Sequence, residues 1–236
     1  MLPRTGIASR ASRVGYLDAL RGLAIIWMIF FHFVFDLSTF GFIRLNFRVG
    51  FWHDLPVAIT FVFLFCVGAS LHYGHAEGFR KADFIKRSLK LLGAAALVSA
   101  GTAIAFPKAW VYFGTLHCIL FGSLLGIWFV FHRKLAALLL TLILVCQFIL
   151  GFNIKWVSEN ITRKYAVDFV PIYPWLWVIL LGIILAPHLA GIRRLRTFQG
   201  PPFLKWLSDH SLKIYLLHQP ILIASLWIVR NYVIQK

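Results

Sequence analysis

Acidic residues are scarce in this 236-residue sequence, which has eight Asp and Glu against 24 Lys and Arg and a formal net charge of +16. A charge of this size is typical of proteins that bind nucleic acid. We exclude that class, because the basic residues lie in short segments between apolar stretches long enough to cross a membrane. In that arrangement the charge favours an anionic lipid leaflet, and we predict no nucleic-acid partner.

Cysteine is also scarce, and no pair of cysteines forms a C-x-x-C motif. Cys66, Cys118 and Cys146 each lie within an apolar run, so we expect them to be small buried side chains. The sequence also lacks a glycine-rich phosphate loop, an H-E-x-x-H motif and a Cys/His zinc pattern. We therefore predict no metal site.

Apolar residues make up 60% of the chain and the mean hydropathy is +0.80, whereas a soluble domain is about half apolar. A helix needs ~20 mostly apolar residues to cross ~30 Å of hydrocarbon, and a helix satisfies its own backbone hydrogen bonds there. The sequence therefore predicts an all-α, polytopic membrane helix bundle of about seven transmembrane helices, with 1–236 as a single domain. The apolar runs cover 22–42, 55–73, 89–106, 111–131, 135–152, 172–190 and 212–233.

The charges between these runs predict the orientation of the bundle. Lys and Arg concentrate in the cytoplasmic loops of membrane proteins. With the N-terminus inside, sixteen Lys and Arg fall in inner segments and the other eight fall in outer segments. We therefore predict an N-terminus inside, a C-terminus outside and an odd number of spans.

Two ionisable residues lie at membrane depth in the first run. Ionisable groups inside a bilayer are costly unless they face a partner or a cavity, so they indicate a functional site. His32 lies near the middle of the run and Asp36 one helical turn further, on the same helix face. An imidazole beside a carboxylate acts as a general base or carries an acyl group itself, and both roles stay open for His32.

A donor site is predicted at the inner end of the same helix. Asp18 and Arg21 are three residues apart and able to pair, and His218 lies in the inner half of the last run. Arginine is suited to binding a phosphate-bearing donor. Arg21 and His32 are eleven residues apart, ~16 Å along a helix axis, a plausible reach for a pantetheine arm. That spacing by itself does not identify coenzyme A.

Two polar residues towards the outer face, His117 in the fourth run and Asp168 before the sixth, are candidates for the acceptor side of the site. Each has a structural alternative. In the alternative, His117 hydrogen-bonds to a neighbouring helix, and Asp168 caps the start of the sixth helix.

Five segments resemble, in order, those of the heparan-α-glucosaminide N-acetyltransferase catalytic domain family, most closely its short bacterial members. The segments are LDALRGLA at 17–24 continued by FHFVFDL at 31–37, FCVGASL at 65–71, FGTLH at 113–117, DFVPIYPW at 168–175 and DHSLKIYLLHQPI at 209–221. The spacing of Arg21 and His32 also resembles that of the wider transmembrane acyltransferase superfamily.

The resemblance implies a membrane acyltransferase in the bacterial inner membrane. It would move an acyl group, in the first instance acetyl, from cytoplasmic acyl-CoA to an outward-facing acceptor such as a sugar or glycoconjugate. Arg21 then takes the donor role and His32 the catalytic role. The family's key histidine follows the first helix, and His53 is the nearest histidine to that place here, so the resemblance makes His53 a further candidate for the acceptor side of the site. The family's mammalian members are much longer, so their aminosugar substrate is not carried over. Homo-oligomerisation stays open.

A proton-coupled carrier or flippase is the alternative, because the same intramembrane polar residues are suited to relaying protons. Neither an inverted repeat nor a pair of broken helices is evident, and both are typical of such carriers. A retinal receptor is disfavoured, because the last run has no lysine deep within it and Lys213 lies at its edge.

Overall fold

The computed structural model describes residues 14–152 and 168–234, and within these ranges all regular secondary structure is helical. The prediction of an all-helical protein is therefore confirmed for the described residues. The helices are α1 (Gly15–Thr39), α2 (Phe51–His75), α3 (Lys81–Ala105), α4 (Thr115–Phe131), α5 (Arg133–Leu144), α6 (Ile172–Gly191), α7 (Arg193–Thr197), α8 (Pro202–Asp209) and α9 (Ser211–Val229). A π-helical turn extends α5 over Val145–Ile149 and another extends α9 over Arg230–Ile234.

Five of these segments are long and apolar enough to cross a membrane: α1, α2, α3, α6 and α9 with part of its extension. The helix α4 is apolar but has 17 residues, and α5 has 12 before its π-helical turn. Each predicted run therefore falls on a helix, while the count of seven spans and the orientation of the bundle stay predictions.

The tightest helix crossing joins α2 to α6, and glycine makes it feasible. A Cβ atom on Gly68 would overlap the backbone carbonyl of Ile179, and one on Gly182 would overlap that of Phe65. Small residues allow two backbones to approach closely, which is how helices associate in a membrane. The helix α6 also packs against α4 and α5, so it forms the centre of the bundle.

The first helix packs against α2, α8 and α9. Its contact with α8 again depends on glycine, because a Cβ on Gly22 would overlap the carbonyl oxygen of Leu204. This close approach brings Ser208, at the end of α8, to the first turns of α1. Further along α1, its neighbour is α9.

Much of the outer surface is apolar. Ile104 on α3 is 83% exposed and Phe148 after α5 is 70% exposed. Apolar surface on this scale indicates contact with lipid rather than with water.

Candidate active site

The guanidinium of Arg21, near the start of α1, is held by side chains from three helices. Nη1 donates a hydrogen bond to Ser208 Oγ on α8 at 2.9 Å, and Nη2 donates to Ser70 Oγ on α2 at 2.9 Å. Asp18 Oδ1 lies 3.5 Å from Arg21 Nη1 and accepts a hydrogen bond from Ser208 Oγ at 2.9 Å. The predicted pairing of Asp18 with Arg21 is confirmed. We call these four residues the arginine cluster.

A second cation lies close to this cluster. Arg87 on α3 is near enough to Arg21 for the two positive charges to repel each other. Arg21 and Arg87 together carry two positive charges and Asp18 carries one negative charge, so the surroundings of Arg21 have a net positive charge. Such a site favours an anionic ligand.

Further along α1, two imidazole rings lie side by side. The ring centroids of His32 on α1 and His218 on α9 are 5.0 Å apart. His32 Nδ1 and His218 Nε2 are both buried, and neither has a hydrogen-bonding partner within the described part of the chain. Most buried polar atoms are hydrogen-bonded, so unpaired ones concentrated in one place call for an explanation.

Asp36 is bound by a residue of α9. It is 3% exposed, and Gln219 Nε2 lies 3.0 Å from its Oδ1 and 3.1 Å from its Oδ2, so the amide donates to the carboxylate. Gln219 Oε1 is buried and unpaired among the described residues. No hydrogen bond joins His32 to Asp36 in the described ranges, although their spacing suggested one. We call His32, Asp36, His218 and Gln219 the histidine cluster.

Asp168 joins three parts of the bundle. Its Oδ2 accepts hydrogen bonds from the backbone N–H of Thr115 at 2.8 Å and from the Tyr215 hydroxyl at 3.3 Å. Its Oδ1 accepts from the Thr115 hydroxyl at 3.3 Å. The carboxylate therefore caps α4, and not α6 as the alternative predicted. The reason is that the backbone N–H of Val170 donates to the carbonyl oxygen of Phe113, which holds this segment next to the start of α4.

Burial raises the pKa of Asp168, while the hydrogen bonds from Thr115 and Tyr215 oppose that rise. The ring of Tyr215 lies 5.8 Å from that of His218, centroid to centroid. Asp168 is thereby connected through Tyr215 to the histidine cluster.

The family described as "Heparan-alpha-glucosaminide N-acetyltransferase, catalytic" matches residues 13–220. The chain belongs to this family. The match includes the whole of α1 and reaches His218 and Gln219 on α9, so it contains both clusters. Together with the apolar helices, membership of this family supports an integral membrane protein and, in general, a membrane acyltransferase. No curated protein and no solved structure matches the chain.

In this member of the N-acetyltransferase family, both ring nitrogens of the predicted site residue His117 have hydrogen-bonding partners nearby. Nδ1 accepts a hydrogen bond from the backbone N–H of Gly114 at 3.2 Å. In a neutral ring the proton is then on Nε2, which lies 3.3 Å from Ser99 Oγ and donates to it. Ser99 in turn donates to the carbonyl oxygen of Val111 at 2.7 Å. This geometry favours the structural alternative for His117.

The remaining predicted residue, His53, lies in the first turn of α2 with its side chain 58% exposed. Its Nδ1 is 2.8 Å from Asp54 Oδ1, and that carboxylate is 79% exposed. No hydrogen bond or ring contact within the described ranges joins His53 to either cluster. An acceptor role for His53 therefore stays a prediction of the family resemblance.

The sequence prediction did not include Ser70, Ser208, Tyr215, Gln219 or Arg87 among the site residues. The first four are neutral, whereas the prediction selected ionisable groups at membrane depth, and Arg87 was counted only among the charges of an inner segment. A usable signal existed for Gln219, since it follows His218 directly within the segment that resembles the family.

Proposed function

We propose that this family member transfers an acyl group, in the first instance acetyl, from acyl-CoA at the cytoplasmic face to an outward-facing acceptor. The acceptor class is a hydroxyl or amine of a sugar or glycoconjugate, and the membrane is the bacterial inner membrane. The observation that carries the proposal is the pair of adjacent imidazoles, His32 on α1 and His218 on α9, each with a buried nitrogen that has no partner among the described residues. The start of α1 holds Arg21 in a cationic setting.

The arginine cluster is the proposed donor site. Arg21 and Arg87 supply two positive charges for the phosphates of coenzyme A, and Ser70 and Ser208 hold the Arg21 fork in place. From Arg21 to His32 the helix rises ~16 Å. An extended pantetheine arm lying along α1 would bring its thioester to the histidine cluster.

The proposed orientation puts the start of α1 in the cytoplasm. Lys and Arg concentrate in the segments on that side under an alternating path of seven spans, in which the shorter helices α4 and α5 also cross. The acceptor would then approach the histidine cluster from the opposite side, where Asp36 and Asp168 lie.

Acyl transfer requires a base, which takes a proton, and a nucleophile, which attacks the thioester carbonyl. In direct transfer, an imidazole takes the proton of the acceptor's hydroxyl or amine while that oxygen or nitrogen bonds to the thioester carbon. The carbon–sulfur bond breaks and the coenzyme A thiolate takes up a proton. In transfer through the enzyme, His32 first attacks the thioester carbon, the carbon–sulfur bond breaks and the thiolate takes up a proton. The acceptor then attacks the acyl carbon, the bond from that carbon to His32 breaks, and the acceptor's proton passes to an imidazole.

The test measures acyl-CoA binding and acetyl transfer by the purified protein in detergent. Arg21→Ala should weaken donor binding by at least about tenfold, since a charge-assisted contact contributes about 1.5 kcal/mol or more. His32→Ala should abolish transfer while the variant still inserts and binds the donor. His188→Ala, an exposed histidine near the end of α6, is the control and should behave as wild type.

Full transfer by His32→Ala would remove the role assigned to His32. Absence of donor binding by well-folded wild-type protein, with acetyl and with longer acyl donors, would contradict the proposal. In that case substrate flux into vesicles without an acyl donor would establish the carrier instead.

A further inference from the structure

The two ring nitrogens of His218 have different surroundings. Nδ1 lies 2.8 Å from the carbonyl oxygen of Tyr215 and 3.2 Å from that of Ile214. A carbonyl oxygen has no proton to donate, so Nδ1 must carry the hydrogen in these bonds. In the neutral ring Nε2 then has a free lone pair, and the backbone fixes this tautomer.

That lone pair lies inside the bundle, and no group of the described ranges bonds to it. Nε2 of His218 is buried and has no partner among the residues that the structure describes, and its ring adjoins that of His32. A general base requires a free lone pair on a ring that another group holds in position. His218 meets both requirements.

His32 does not meet the second requirement. Within the described ranges it makes no hydrogen bond, and the aromatic rings next to it are those of Phe31 and His218. Neither ring determines which of its nitrogens is protonated. Its neighbour on the next turn, Asp36, binds Gln219 instead.

We propose, resting on the acyl-transfer function above, that His218 is the general base that takes the acceptor's proton. Nε2 accepts the proton as the acceptor's oxygen or nitrogen bonds to the acyl carbon. The bond from that carbon to the leaving group breaks, and the imidazolium returns the proton to the leaving group. The carbonyl groups of Ile214 and Tyr215 stabilise the imidazolium through Nδ1–H. His32 is thereby left as the residue that contacts or carries the acyl group.

The test compares two nucleophiles in His218→Gln. With acetyl-CoA as donor, one acceptor is an alkyl glucoside, whose hydroxyl must lose a proton, and the other is hydroxylamine, which attacks without a base. General base catalysis contributes about 100-fold or more, so kcat with the glucoside should fall at least about 100-fold. With hydroxylamine the fall should be less than about tenfold, and donor affinity should be unchanged.

His132→Gln is the matched control, because His132 Nδ1 makes the same kind of bond to the carbonyl of Trp128, at 2.9 Å, on an exposed side chain. It should keep wild-type rates with both nucleophiles. If His218→Gln fails to fold, His218→Ala with added imidazole replaces it, and recovery of glucoside transfer by imidazole supports the base role.

The outcomes separate the two proposals. Equal losses with both nucleophiles in a folded His218→Gln protein, or full activity with the glucoside, would overturn the base role alone. Wild-type protein that transfers acetyl to neither nucleophile would overturn the acyltransferase proposal as well.

Discussion

The arginine cluster and the histidine cluster both include residues of α1, but their polar groups are arranged in opposite ways. Around Arg21 the polar groups bond to one another, with Ser208 donating to Asp18 and accepting from the guanidinium. Around His32 three buried polar atoms, on His32, His218 and Gln219, have no partner in the described part of the chain. Unpaired buried groups lower stability, and paired ones rigidify.

This difference suits the two clusters to different tasks, the first to binding a donor and the second to the reaction itself. A site that positions a donor needs fixed geometry, which a closed set of hydrogen bonds supplies. A site that exchanges protons and acyl groups needs free lone pairs, which cost stability until a substrate arrives. The contrast therefore predicts that substitutions in the arginine cluster lower stability most, whereas substitutions of the unpaired histidines lower activity with little loss of stability.

The largest effect on stability is expected for Asp18→Ala. This change removes the counter-charge of Arg21 and the acceptor of Ser208, so we expect a loss of about 2–4 kcal/mol in the free energy of unfolding. Denaturant titration in detergent micelles measures it. The control Asp54→Ala, at an exposed carboxylate on α2, should change stability by less than about 0.5 kcal/mol. Equal stability of the two variants would contradict a closed arginine cluster.

The next effect tests the hydrogen-bonded pair of the histidine cluster, Asp36 and Gln219. Gln219→Leu leaves the Asp36 carboxylate buried without its donor, which should cost about 1–3 kcal/mol. A double-mutant cycle with Asp36→Leu isolates the pair. The double variant should be less destabilised than the two single losses combined, by at least about 1 kcal/mol. Additive losses would mean that the amide and the carboxylate do not interact.

Hydrophobic runs predicted the helices well, because membrane spans must satisfy their backbones internally and be apolar outside. The helix boundaries were predicted wrongly where polar residues form part of a long helix. The first run was predicted to begin at 22, but α1 begins at Gly15, since Asp18 and Arg21 neutralise each other inside the bundle. The short helix α8 was not predicted, because eight residues between loops give too little periodicity.

The site was predicted in part for a related reason. His32 and Asp36 were found because an ionisable group in an apolar run is conspicuous in a single sequence. The neutral partners Gln219 and Ser208 were not found, because each bonds to a residue far away in the chain: Gln219 to Asp36, 183 residues away, and Ser208 to Arg21, 187 residues away. Such pairing depends on tertiary packing, which spacing along one helix does not contain.

A smaller effect concerns pH and Asp168. Burial raises its pKa above the ordinary value of 3.8, so the folded protein binds this proton more tightly than the unfolded chain. Its contribution to stability is therefore fully present below 3.8 and is lost as pH rises through the raised folded value. Asp168→Asn should abolish this dependence, so the thermal midpoint of wild type relative to the variant should rise as pH falls. A pH-independent difference would contradict the raised pKa.

The smallest effect on stability, and the sharpest contrast, is expected for His32→Leu. Leucine has a similar size and leaves no unpaired nitrogen, so the free energy of unfolding should stay within about 1 kcal/mol of wild type or increase, although acetyl transfer is lost. His117→Leu is the matched comparison, because both nitrogens of His117 are bonded, and it should lose about 1–3 kcal/mol. Denaturant titration of the two variants in the same micelles measures the difference. If His32→Leu is destabilised as much as His117→Leu, then His32 has a structural partner. The polar groups of the histidine cluster would then be hydrogen-bonded to one another, as those of the arginine cluster are.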